Sequence, residues 1–311
     1  MAINQLRTGL LLAAMTALIL IVGQLLGGRQ GMMVALVLAV VMNFASYWYS
    51  DKIVLAMYKA RPVTPDQAPE LYALVQFLAR RAGLPMPRLY LIPEKTPNAF
   101  ATGRNPQHAA VAVTEGLVRL MDCDEIAGVL SHELGHVRNR DILVGSIAAT
   151  LAGAIMMLAS MARWSAIFGD HRSDENGGGI GGLGLILISL VAPLAAMVIQ
   201  MAISRSREYL ADRTGAEISG SAEGLARALE KLGTYARGSR PMAANPATAH
   251  MFIVNPLSGG GVMSLFATHP PLTERIARLR GSRTSAPTAA PSSSRNMADS
   301  GRDFWERLSG R

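Results

Sequence analysis

Apolar residues are gathered into blocks along this chain rather than spread through it. Residues 10–28 and 31–49 are almost uncharged, and only Gly28-Arg29-Gln30-Gly31 interrupts them. At 1.5 Å of rise per residue, each run is long enough to cross roughly 30 Å of hydrocarbon. Together they predict a helical hairpin through a bilayer. The rival reading is a secretory signal peptide, because Arg7 precedes the first run. That run exceeds the usual ~7–15 apolar residues, has no clear small-x-small exit, and is followed at once by a second span. Stretches at about 142–162 and 181–203 predict a second pair of spans. The last opens with glycines and contains Pro193, which is compatible with a kinked or partly re-entrant path.

Outside these blocks the pattern changes. Residues 65–82 have the spacing of an amphipathic helix, Arg88–Ile92 reads as a strand, and 109–113 as another. Residues 115–139 have the pattern of a buried helix running towards the membrane, and a second polar piece is mainly helical around 204–235 and 271–280. Past Arg280 the chain becomes rich in Ser, Pro, Thr and Ala, a disordered segment by composition. The expected organisation is two transmembrane helices in 1–50 and the first part of a folded domain in 51–140. Two membrane helices and a short loop follow in 141–203, then the second part of the same domain in 204–280 and a polar tail in 281–311. The fold class is α+β and mainly helical, combined with about four transmembrane helices.

Composition supports the membrane reading. Half of the 311 residues are apolar and only 17% are charged, whereas soluble domains carry about a quarter. The net charge of +8 does not point to nucleic acid, because the basic residues have no aromatic interleaving and no nucleic-acid signature. They flank the apolar blocks instead. Lys52, Lys59, Arg61, Arg80 and Arg81 follow the second span, Arg138 and Arg140 precede the third, and Arg205, Arg207 and Arg213 follow the fourth. The loop between the third and fourth spans has no positive excess, with Asp170, Asp174 and Glu175 against Arg163 and Arg172. By the positive-inside rule the polar domain and both termini are cytoplasmic. The single cysteine, Cys123, excludes an internal disulfide and a thiolate metal cluster.

The chemistry is concentrated in His132-Glu-Leu-Gly-His136. On a helix, positions four apart project from one face, so His132 and His136 are placed to share one ion. Glu133, offset by one position, reaches a water on that ion without ligating it and suits the role of general base. The bland alternative is two solvent-facing histidines on a polar helix. A catalytic zinc takes a third protein ligand and keeps one position open. Glu208, in Ser204-Arg-Ser-Arg-Glu-Tyr-Leu-Ala-Asp212, is the best candidate, because it returns just past the fourth span on the same side of the membrane. Asp212 shares its helical face and suits a hydrogen-bonding role behind a ligand. Read alone, these acids also fit a salt-bridged juxtamembrane helix with Arg205, Arg207 and Arg213.

Taken together, two spans, Asn98-Ala-Phe-Ala-Thr-Gly103, HELGH, two more spans, SRSREYLAD and Thr268-His-Pro-Pro271 resemble the HtpX family of membrane zinc metallopeptidases. These are relatives of the prenyl-protein endopeptidases, and the resemblance covers nearly the whole chain. It implies a zincin-like α+β catalytic domain holding one Zn2+ per chain through His132, His136 and Glu208, with Glu133 as general base. It also implies that Asn98, Ala99, Phe100 and Ala101 form the edge strand on which an extended substrate lies by strand addition. An ordinary core strand is the alternative there. His269 matches a family histidine that stabilises the developing oxyanion. Read from the residues alone, it is an exposed residue capping the helix at 271–280.

The implied activity is endoproteolysis of misfolded or damaged membrane proteins at the inner membrane of a bacterium, with unfolded membrane-protein substrates and the lipid bilayer as partners. A lipidated-peptide endopeptidase is a second reading, ranked lower because four spans do not easily build the large chamber of those relatives. A non-catalytic zinc-binding scaffold is the third. Transport is disfavoured, since the apolar stretches hold essentially no ionisable residue, and a scaffold has no need of Glu133.

Overall fold

The computed structural model describes residues 2–152, 205–238, 253 and 270–281. The first helix, α1 (Ala2–Met57), leaves helical geometry at Gly27 and Gly28. Gly28, at φ 55 and ψ −144, sits where a side chain is strongly disfavoured, so the turn of the hairpin needs glycine there. The two arms, Leu6–Leu25 and Gly27–Met57, are both long and apolar enough to cross a membrane. Asn43 Nδ2 donates to Thr16 Oγ1 between the arms at 2.8 Å, and Thr16 in turn donates to Leu12 O, so this polar pair is satisfied within the hairpin. Of the expected third span, Ile142–Ala152 (α5) is an apolar helix. The rest of that span, the whole of the fourth, and all of the tail past Gly281 lie outside the described residues.

After the hairpin come β1 (Arg61–Pro62), α2 (Pro69–Ala82), β2 (Arg88–Ile92), β3 (Ala99–Thr102) and β4 (Ala110–Thr114). They build one sheet in the order β1-β2-β4-β3. β2 and β4 are parallel, from Arg88↔Ala110 to Ile92↔Thr114, while β3 runs antiparallel to β4 from Ala99↔Val113 to Thr102↔Ala110. All five residues of the central β4 are buried, as expected for a strand covered on both faces.

Period-two alternation divides the sheet between two surroundings. Leu89, Leu91, Val111, Val113 and Ala99 enter the main core with α2 and the later helices. Ile92, Phe100, Ala110 and Ala112 face the other way and pack with Val54 and Leu55 of α1 and Ala149 of α5. Small alanines on that face let the apolar helices come close. The sheet is thus a layer between the apolar helices and the polar half of the molecule.

The 115–139 segment, expected as one helix, is two: α3 (Glu115–Leu120) and α4 (Cys123–Asn139). Asp122 causes the break. Its carboxylate accepts the Glu125 N–H while Glu125 Oε2 accepts the Asp122 N–H, both at 2.9 Å, and this capping box starts a new helix. The 204–235 region also divides, into α6 (Arg205–Ser219) and α7 (Glu223–Gly238). There Ser219 Oγ donates to Ser221 O, and Ser221 Oγ accepts the Glu223 N–H at the start of α7. The last described helix is α8 (Leu272–Gly281).

Candidate active site

α4 carries the buried His132 and Glu133 and the partly buried His136, and α6 crosses it at that level. Gly215 makes the crossing possible. A Cβ there would lie 2.9 Å from the His132 backbone nitrogen, closer than any side chain tolerates, so the two backbones touch at the histidines. That contact delivers Glu208, one to two turns earlier on α6, beside both imidazoles despite the long separation in sequence. Glu208 is 5% exposed.

Three donors converge. His132 Nε2 and His136 Nε2 are 3.2 Å apart. Glu208 Oε1 lies 3.6 Å from His136 Nε2, and Oε2 lies 3.7 Å from His132 Nε2. A tetrahedral zinc with bonds of about 2.0–2.1 Å spaces neighbouring ligands by about 3.3 Å, so these edges suit one such ion. His132, His136 and Glu208 form a group that could hold a metal.

A second layer turns both imidazoles the same way. Asp212 Oδ1 lies 3.0 Å from His132 Nδ1. Asp141 places its two carboxylate oxygens 3.1 and 3.2 Å from His136 Nδ1. Asp141 reaches that position because Arg140 closes α4 in the left-handed conformation, with the Asp141 N–H donating back to His136 O. With each Nδ1 facing a carboxylate, each Nε2 is directed at the centre, the tautomer a metal requires.

Behind Asp212 stands Arg275 of α8, with 0% of its surface exposed. Its Nε and Nη2 donate to Asp212 at 2.9 and 2.6 Å, and Nη1 lies 3.6 Å from Glu208 Oε2. Burial pushes the Asp212 carboxyl up, but the Arg275 charge and hydrogen bonds outweigh it and hold it below the usual range. Burial likewise drives His136 down, yet Asp141, Glu208 and Glu133 overcome it and raise the imidazolium to about 10. Four carboxylates thus outnumber the Arg275 and Arg207 guanidinium groups that interact with them, an electrostatic setting that calls for added positive charge.

Glu133 is buried, and its Oε2 accepts the Ala101 N–H at 2.8 Å. Burial raises its carboxyl, with His132 and His136 pulling it back. The same hydrogen bond orients β3. Thr114 N–H donates to Asn98 O, so by alternation Ala99 and Ala101 turn their backbone groups away from β4, towards the open edge. Asn98 is occupied within the fold: its N–H donates to Thr114 Oγ1, and its Oδ1 accepts the Ile253 N–H. Phe100 faces the membrane-side cluster and stacks near Tyr58, with ring centroids 5.1 Å apart.

The structure therefore brings together His132, Glu133, His136, Glu208, Asp212 and Ala101. His269 lies outside the described residues. Asp141 and Arg275 were not singled out from the sequence. An acid just past the second histidine gives a local signal for Asp141, whereas Arg275 has none, since a charged residue on an amphipathic helix normally faces water.

A sequence profile described as "Peptidase family M48" matches residues 65–283. Among curated proteins, the "Protease HtpX homolog" of Desulforapulum autotrophicum is 66% identical over 307 residues, covering 98% of this chain and 99% of that protein. The "Protease HtpX homolog" of Thermococcus sibiricus is 55% identical over 277 residues, covering 88% and 94% respectively. Among solved structures, S. mikatae Ste24p aligns with a TM-score of 0.49 at 23% identity, over 89% of this chain and 66% of that one.

Proposed function

The chain belongs to peptidase family M48 and is a membrane metalloprotease, and on that premise we propose that it is a zincin-like zinc endopeptidase working at the cytoplasmic face of a bacterial inner membrane. The observation that carries this reading is the convergence of His132, His136 and Glu208 with Glu133 alongside. His132 Nε2, His136 Nε2 and the Glu208 carboxylate would hold the zinc. Bound there, the ion supplies a Lewis acid that acidifies water and polarises a carbonyl.

The protein's own groups account for the remaining steps. Glu133 takes the proton from the attacking water and returns it to the departing amine; burial raises its carboxyl, which favours proton acceptance. Asp141 and Asp212 hold the imidazoles in position, and Arg275 holds Asp212. The substrate backbone adds to the open edge of β3, pairing with Ala99 and with the carbonyl of Ala101. Phe100 anchors that strand from the opposite face, and Asn98 fixes its start. His269 directly precedes the buried Pro270 and the helix that carries Arg275, which supports its role as oxyanion donor. Four spans, cytoplasmic termini and misfolded or damaged membrane proteins as substrates complete the reading.

The test uses chain purified in detergent under chelation, then given zinc and an unfolded test protein, with Glu133→Ala alongside. The variant should keep its zinc and lose about 10²–10⁴-fold in turnover. A variant as active as the native chain, or a native chain that binds no zinc, refutes the assignment.

A further inference from the structure

The second membrane arm carries an aromatic collar near its end. Tyr47, Trp48 and Tyr49 are all partly exposed, Trp48 at 43% and Tyr49 at 46%. Aromatic rings of this kind settle at the level of lipid headgroups. The turn that follows β3 is docked on this collar. The Arg104 guanidinium stands over the Trp48 ring, 4.8 Å from its centroid. It is held there by His108, whose Nε2 accepts from Arg104 Nη2 at 2.7 Å while Asn105 Oδ1 accepts the His108 Nδ1–H at 2.7 Å. Lys52, one helical turn beyond Trp48, projects from the same face and lies 5.4 Å from the centre of the Tyr49 ring.

The charges here are unbalanced. The one acid in the group, Asp51, is taken by Arg88 at 2.6 Å. Among the described residues, no ion pair involves Lys52 or Arg104. Two cations, an aromatic collar and no neutralising carboxylate are what the phosphate of an anionic phospholipid requires.

The same turn belongs to the active-site strand. Arg104 is two residues past the end of β3, and that end is also tied to α5: Thr102 Oγ1 lies 2.7 Å from Ser146 Oγ, which accepts the Gly103 N–H at 3.2 Å. Val54, which packs with Phe100 of β3, is six residues beyond Trp48, about 9 Å along the helix.

We propose that Lys52 and Arg104, with Trp48 and Tyr49, bind the headgroup of an anionic phospholipid. This bound lipid sets β3 at a fixed height, so that the segments it accepts lie within about 10 Å of the membrane surface. The lipid site stands on the geometry alone; the height rule rests on the reading of β3 as the substrate strand.

Two arms separate them. In the first, zinc-loaded Glu133→Ala chain in phosphatidylcholine nanodiscs, with or without phosphatidylglycerol, is released for native mass spectrometry. Retained phosphatidylglycerol adducts are expected, bound about thirtyfold more weakly in Lys52→Gln/Arg104→Gln, the loss of two surface cations, and unchanged in the remote control Arg119→Gln. Equal retention of both lipids, or no loss in the double variant, overturns the lipid site. In the second arm, active chain in mixed nanodiscs is given membrane-tethered reporters with the cut site at increasing distance from the anchor. Cleavage confined to the nearest sites, with that limit lost in the double variant, is expected. A distance-independent native profile overturns the height rule. No cleavage of any reporter counts against the peptidase reading, and the first arm still decides the lipid site.

Discussion

Replacing Arg275 by Met removes a charge that no solvent reaches while keeping most of the side chain's volume. Asp212 then keeps a buried carboxylate without its two guanidinium bonds of 2.9 and 2.6 Å. Breaking a buried pair by deleting one partner costs about 3–5 kcal/mol, a large share of the roughly 5–15 kcal/mol that holds a folded domain. At about 2–4 °C per kcal/mol, the metal-free protein in detergent should melt roughly 6–20 °C lower. The folded Asp212 carboxyl lies below its usual value, so the pair's stabilisation is complete above the unfolded pKa of about 3.9 and fades as pH falls through the lower folded value. The comparison therefore belongs at pH 7. Loosening Asp212 also frees His132, and such supporting contacts are worth about 10–100-fold in metal affinity, readable by competition with a zinc chelator. Asp212→Asn/Arg275→Met should recover about 2 kcal/mol of the stability lost, because the stranded charge is gone. The reasoning fails if the single variant melts within about 2 °C of the native protein, less than 1 kcal/mol on that scale, or if the double variant is no better than the single.

Glu208→Gln should keep the fold and weaken zinc binding far more than it weakens folding, as seen by chelator competition beside a thermal melt. Gly215→Ala places a methyl against the His132 backbone and should cost about 1–3 kcal/mol by overpacking, with zinc affinity falling as α6 is pushed from α4; unchanged denaturant midpoints would contradict the close crossing. Asp122→Ala removes the side chain that caps α4 and should cost about 0.5–2 kcal/mol while leaving the zinc stoichiometry at one.

Local signals carried much of this architecture. Hydrophobic length alone marked both arms of the hairpin, and the strand at Arg88–Ile92 appeared with its bounds intact. The four-residue spacing put His132 and His136 on one face, and Glu208 was reached by asking where a third ligand returns. What escaped was decided by single polar side chains or by partners far away in sequence. Asp122 splits 115–139 through a capping box that a hydrophobic pattern does not register. Arg275 looks like one more charge on an amphipathic helix; only the packing of α8 against α6 and α7 turns it inward. The open edge of β3 is likewise a property of strand order, which Asn98–Thr102 do not encode by themselves.

The divided ligand set also bears on the order in which the chain is made. Glu208 is 72 positions beyond His136, and Arg275 is 67 beyond Glu208. At roughly 5–20 residues per second of synthesis, Glu208 trails the second histidine by about 4–14 s, and Arg275 follows after a similar delay. Throughout that interval the growing chain has both histidines but not the proposed third ligand. On the proposed ligand set, a chain truncated within this window would lack the third ligand and would not hydrolyse peptides. On that reading, hydrolysis is withheld until translation has passed Glu208.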